Sequence, residues 1–184
     1  MKTISFALAV LLAWGGASLQ AQKPDPWLAR TNASAFETQK GTEAPIVLNV
    51  PKNNWMTMPG TRSAIFLMAA RKGDAVVSVE RAPLSLVLQP EDVTDVLAKI
   101  QMDEIKAREP RATEFEARVL DAGDRRFVAV QYRRAGVTGA ERVRQYTLPV
   151  GHWLYHITCA ASLTQFASYE AVFAHIASSF TAAE

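Results

Sequence analysis

Residues 112–160 read ATEFEARVLDAGDRRFVAVQYRRAGVTGAERVRQYTLPVGHWLYHITCA, and the way this stretch breaks into segments decides the fold. Four runs rich in β-branched and aromatic residues, at about 112–120, 125–134, 142–150 and 153–160, have the composition of strands. They are separated by Asp121-Ala122-Gly123-Asp124, by Ala135-Gly136-Val137-Thr138-Gly139 and by Pro149-Val150-Gly151. Connections this short and glycine-bearing allow only antiparallel neighbours, because a parallel return needs a crossover of a dozen or more residues. The reading is a four-stranded meander. Within its last strand Trp153, Tyr155, Ile157 and Cys159 alternate, which puts them on one core-facing side and makes Cys159 a buried, inert thiol.

Upstream, residues 62–71 (RSAIFLMAAR) and 75–81 (AVVSVER) flank the turn Lys72-Gly73-Asp74. Both are too continuously apolar for a half-exposed ribbon, so they read as a hairpin in a sheet covered on both faces. Shorter strands are expected at 35–40 and 46–50, the second ended by Pro51 and Asn53-Asn54. A first helix is expected to open at Pro90-Glu91-Asp92 and stop before Pro110, with Val93, Val96, Leu97, Ile100 and Ile105 as its inner stripe. A closing helix is expected after a capping box formed by Ser162 and Gln165, with Phe166, Tyr169, Val172, Phe173, Ile176 and Phe180 facing inward and His175 on its polar side. The expected fold class is α+β, an antiparallel sheet of about six or seven strands with helices packed against it.

The N-terminus reads as an export signal. Lys2 precedes the apolar run 4–14, then Gly15-Gly16-Ala17-Ser18, the order of charged, apolar and small segments in a secretory peptide. Eleven or so apolar residues are too few to span a bilayer, which takes roughly 20. With cleavage expected near Ala21, residues 1–21 are the signal, 22–34 an extended lead-in containing KPDPWLAR, and 35–184 a single domain. The mature chain is expected to be soluble, without a transmembrane anchor, in the periplasm or outside the cell. It has no cysteine near the cleavage site to carry a lipid. Removing the first 21 of 184 residues leaves 163, with 19 basic against 18 acidic side chains once Lys2 is gone. That near-neutral balance gives no reason to expect nucleic acid as a partner. Cys159 stands alone, so no internal disulfide is expected.

The order of elements, with Trp153-Leu154-Tyr155-His156-Ile157-Thr158-Cys159-Ala160 leading into a helix that ends Phe173-x-x-Ile176-x-x-Ser179-Phe180, resembles the PsbP-like superfamily and its DcrB-like bacterial envelope proteins. Pro51 and Trp55 near the start of the domain fit the same pattern. The resemblance implies an α+β domain and a non-catalytic role, since the group is made mostly of accessory factors, small-GTPase binders, adaptors and envelope proteins. This chain has neither the lipid-bearing cysteine of many envelope members nor the long N-terminal docking region of the photosynthetic ones.

Candidate chemistry is sparse. His152 and His156 lie four apart, but on a strand that is roughly 13 Å, too far to share an ion, so no metal site or cofactor is expected. Cys159 and His156 are three apart and face opposite sides of a strand. No G-x-S-x-G elbow and no phosphate-binding glycine loop occurs. The acidic pairs Glu91-Asp92, Asp103-Glu104 and Glu114/Glu116 fall on expected solvent faces. The distinctive clustering is of arginine: Arg118, Arg125, Arg126, Arg133, Arg134, Arg142 and Arg144. Choosing Arg at every position favours planar, bidentate partners such as carboxylates or phosphates, while acidic residues nearby offer a purely structural use. Residues 51–60 (PKNNWMTMPG) are expected to form a loop carrying Trp55, Met56 and Met58, either as a binding surface or as cover for a sheet edge. The expected function is therefore a non-enzymatic binding or accessory protein of the envelope that docks on a protein partner through Arg133, Arg142, Arg144 and Trp55. The alternatives are a carrier of an apolar small molecule between sheet and helix, or an enzyme of unrecognised type.

Overall fold

The structure, a computed structural model, describes residues 35–41, 44–61, 63–137 and 139–182 together with Asp25 and Trp27. The expected export signal, the expected cleavage near Ala21 and most of the expected lead-in fall outside the described residues. The strands are β1 (Phe36–Lys40), β2 (Ile46–Pro51), β3 (Trp55–Met58), β4 (Ala64–Ala70), β5 (Ala75–Pro83), β6 (Thr113–Ala122), β7 (Arg125–Gly136), β8 (Gly139–Val150), β9 (Trp153–Ser162) and β10 (Thr181–Ala182). Two helices, α1 (Asp95–Arg108) and α2 (Phe166–Ser179), and a 3₁₀ turn at Pro90–Asp92 complete the chain. Seven strands form an antiparallel sheet in the order β3-β4-β5-β9-β8-β7-β6, and three form a second sheet in the order β1-β2-β10. The expected meander is present as β6 to β9 and the expected hairpin as β4 and β5.

The large sheet is covered on both sides, which explains the runs of consecutive buried residues in its central strands. On β7, Phe127 and Ala129 join Tyr146, Tyr155, Ile157 and Cys159 in a core shared with α2 and with β2 of the small sheet. Their neighbours Val128, Val130 and Tyr132 join Val143, Ala160 and Ile105 of α1 in a second core on the opposite face. Burial of aliphatic and aromatic side chains on both faces contributes roughly 1.5–3 kcal/mol each relative to exposure.

Four local expectations are corrected. Helix α2 packs against both sheets, so every residue from Phe173 to Ser178 is buried, and His175 lies with its ring 3.9 Å from that of Phe36 instead of facing solvent. The capping box does not form: Ser162 still belongs to β9, Gln165 is the N-cap, and no side-chain cap bond is made. Helix α1 starts at Asp95, after the separate 3₁₀ turn, and is rotated from the expected stripe. Val96 and Ile100 are 68% and 48% exposed, while Gln101 is buried with Ala98 and Ile105. The physical reason is the polar floor beneath it, where Gln101 accepts a hydrogen bond from Thr147 at 3.4 Å. Finally, part of the expected loop 51–60 is the edge strand β3, paired with β4.

Candidate functional site

Strands β7 and β8 bring Arg133 and Arg142 into register as direct neighbours. One extra residue in β6, between Thr113 and Glu116, forms a bulge opposite them. Within it Glu114 adopts φ 57°, an uncommon conformation for a residue with a Cβ. From there its carboxylate accepts a hydrogen bond from each arginine, at 3.1 Å from both Nη1 of Arg133 and Nη2 of Arg142. Those bonds, the one from Arg133 foremost, hold the Glu114 carboxyl below its ordinary pKa. Two guanidinium groups thus share one carboxylate, leaving local positive charge. Beside them a surface hollow of about 300 Å³ is lined by Arg111, Thr113, Arg133 and Arg134.

The other arginines of the cluster are tied into the fold. Arg118 pairs with Glu116 at 2.5 Å, Arg126 with Asp121 at 2.6 Å, and Arg134 with Glu109 at 3.0 Å and Glu141 at 3.3 Å. Arg125 donates to the backbone carbonyls of Ser178 and Phe180, which fastens the end of α2 to the sheet.

Arg144 departs furthest from the sequence reading, which placed it with Arg133 and Arg142 as a docking residue. Its side chain is 0% exposed. It donates to Gln131 and, at 2.5 Å, to Glu170 of α2, and its guanidinium lies 4.4 Å from the centre of the Trp27 ring and 5.3 Å from that of Phe166. Trp27 carries a second guanidinium, that of Arg118, at 4.3 Å, and its carbonyl accepts a hydrogen bond from the buried Tyr146 hydroxyl at 2.8 Å. Sequence reading gave Trp27 no partner, since the surrounding prolines carry no periodicity. Trp55 packs edge-on against Tyr169, on β3 at the opposite margin of the sheet from β7, so it is not brought together with the arginines.

A second concavity lies between the end of α1 and the part of the sheet that α1 leaves open. It is a cleft of about 300 Å³ with Ser78, Glu80, Arg108, Tyr132, Gln145 and Thr158 among its walls. Below it runs a hydrogen-bonded group unseen in the sequence. The Nδ1 of His156 lies 3.1 Å from the Thr147 hydroxyl and 3.2 Å from Gln145 Nε2. Burial, followed by the charge of Arg108, pushes the His156 pKa down to about 4, so the ring is neutral. This cleft occupies the sheet–helix interface where an apolar ligand was expected, yet its lining is polar. Among the described residues no group of three or more His, Cys, Asp and Glu side chains is placed to hold a metal ion.

The two-sided seven-stranded sheet, the small second sheet and the helix held between them define a PsbP-like α+β fold. The PsbP of the cyanobacterium Synechocystis sp. PCC 6803, CyanoP, superposes with a TM-score of 0.62 at 14% identity, over 81% of this chain and 93% of that one. LpqN of Mycobacterium tuberculosis, described as involved in cell envelope biogenesis, gives 0.55 at 12% identity over 81% and 91%. The Saccharomyces cerevisiae Ran-binding protein Mog1p gives 0.53 at 9% identity over 80% and 95%. No protein-family model and no curated protein sequence matches the chain. At these identities the likeness is one of fold.

Proposed function

We propose that this protein is an exported, non-enzymatic accessory module of the bacterial envelope that docks on an acidic surface of a protein partner through the end of the sheet carrying Arg111, Arg133 and Arg142. The observation that supports it best is the shared carboxylate: Glu114 holds two half-exposed guanidinium groups in place, yet balances only one of their charges. Planar donors held in this way are suited to bidentate recognition of carboxylates on a partner. Fold likeness to an envelope-biogenesis protein and to a Ran-binding protein agrees with an accessory role. Among the described residues no helix is long and apolar enough to cross a membrane, which agrees with docking from the aqueous side.

The test is crosslinking of the tagged protein in its native envelope, with wild type and a double variant Arg133→Glu, Arg142→Glu compared by mass spectrometry. Arg144 is left intact because it is buried. A partner enriched with wild type and lost with a double variant of unchanged melting temperature supports the docking surface. Equal capture of the same proteins by both chains would rule this surface out.

A further inference from the structure

We infer that the cleft between α1 and the open part of the large sheet is a binding site for a small zwitterion of free amino-acid size. The inference does not rest on protein docking: its two charged anchors, Arg108 and Glu80, do not line the hollow beside Arg133 and Arg142, although Arg134 borders both concavities.

Its charged groups are unequally satisfied. Arg134 is paired with two carboxylates, Glu109 and Glu141, which more than balance its charge. Arg108, at the last position of α1, makes no ion pair among the described residues and donates only one hydrogen bond there, at 3.4 Å to the neutral amide oxygen of Gln145. A bond that long sits at the weak end of the range and is readily exchanged for a carboxylate. Glu80, on β5 in the same cleft, likewise has no cationic partner among the described residues. One open guanidinium and one open carboxylate therefore line a single concavity, with the hydroxyls of Ser78 and Thr158 and the buried Gln145 amide as neutral partners. A volume of about 300 Å³ is at the small end of ligand clefts and accommodates a molecule of α-amino-acid size. The complementary occupant offers a carboxylate to Arg108 and an ammonium group to Glu80.

The cleft is built to hold its shape. Thr147, Gln145 and Gln101 tie β8, the His156 ring and α1 into one hydrogen-bonded floor, so little ordering is required when a ligand enters.

The experiment is titration of the full mature protein with each of the twenty common amino acids at millimolar concentration, followed by the His156 imidazole signals in NMR. For any amino acid that binds, its N-acetyl and C-amide derivatives are then titrated. Saturable binding that weakens with either derivative is the expected result. Arg108→Gln is expected to weaken it roughly ten- to a hundredfold and to abolish the preference for the free carboxylate, while Glu80→Gln abolishes the preference for the free amine. Arg108 is exposed and Glu80 half-buried, and unchanged melting of the variants separates lost binding from lost fold. No saturable shift with any amino acid, or binding indifferent to both substitutions, overturns the assignment.

Discussion

The guanidinium of Arg144 lies 4.4 Å from the centre of the Trp27 ring, which joins Trp27, 117 positions upstream, to the large sheet. With Arg118 at 4.3 Å the indole is flanked by two cations, and at 5% exposure it is part of the main core. The arrangement lessens a cost that Arg144 creates. A guanidinium removed from water is costly unless its charge is balanced, and here Gln131 and Glu170 accept from its Nε and Nη2 while the Trp27 and Phe166 rings lie against the delocalised cation; its buried Nη1 has no hydrogen-bond partner among the described residues.

Trp27→Ala is therefore expected to destabilise the domain by about 3–5 kcal/mol, the range for removing a large buried aromatic. Denaturant titration of the mature chain measures it. A loss below about 1 kcal/mol would show that Trp27 is not held where it lies.

What the sequence made legible, and what it did not, divides along the reach of each signal. The glycine turns between residues 121 and 151 specify nearest-neighbour pairing, and the alternation of Tyr155, Ile157 and Cys159 specifies a face, because both depend only on local chain geometry. Alternation also puts Arg142 and Arg144 on the same face, correctly. It cannot show that Trp27, more than a hundred positions away, covers one of them and not the other. The same limit applies to α1. Its spacing pointed to one stripe that included Val96 and Ile100, whereas in the structure Gln101 is drawn in by a hydrogen bond from Thr147 on a distant strand and Val96 and Ile100 lie outside. His175 was assigned to solvent because nothing local reveals that a second sheet closes over α2. The Arg133–Glu114–Arg142 site was half legible: the arginines stand out by composition, whereas the bulge that delivers Glu114 does not.

His156 is expected to make the protein acid-sensitive. Its pKa falls from 6.5 to about 4 in the fold, so between those values the unfolded chain binds a proton that the folded chain resists. Protonation would turn Nδ1 into a donor facing the Gln145 amide, which is already a donor. Stability should thus fall as pH drops through this window, by on the order of 3 kcal/mol at most, and level off below it. Unfolding free energies measured across the window should decline for wild type and decline less for His156→Gln.

Glu114 contributes in the opposite sense to a buried carboxylate. Its pKa is depressed by Arg133 and Arg142, so its contribution is present above the ordinary glutamate pKa and is lost as pH falls through the lower folded value. Because the pair is exposed, the effect is screened by salt and small. Carbon-13 NMR titration should find the Glu114 carboxyl titrating below a free glutamate, and moving back toward it in Arg133→Gln or at high salt. An ordinary value at low salt would mean that the two arginines are not held on Glu114 in solution.

Cys159 is the last group whose behaviour its surroundings decide. It lies at 0% exposure between Arg144 and Val77 in strand register, and burial pushes its thiol far above the ordinary range, with Arg144 opposing only weakly. The thiolate is the reactive form, so both access and ionisation are withheld in the folded state. A thiol-reactive disulfide reagent should label the native protein only as fast as the domain opens, and label it immediately in denaturant. Rapid labelling under native conditions would place Cys159 at the surface and contradict the packing of β9 against α2. If labelling is slow, its rate in Trp27→Ala should rise with the loss of stability, since both residues belong to the same core.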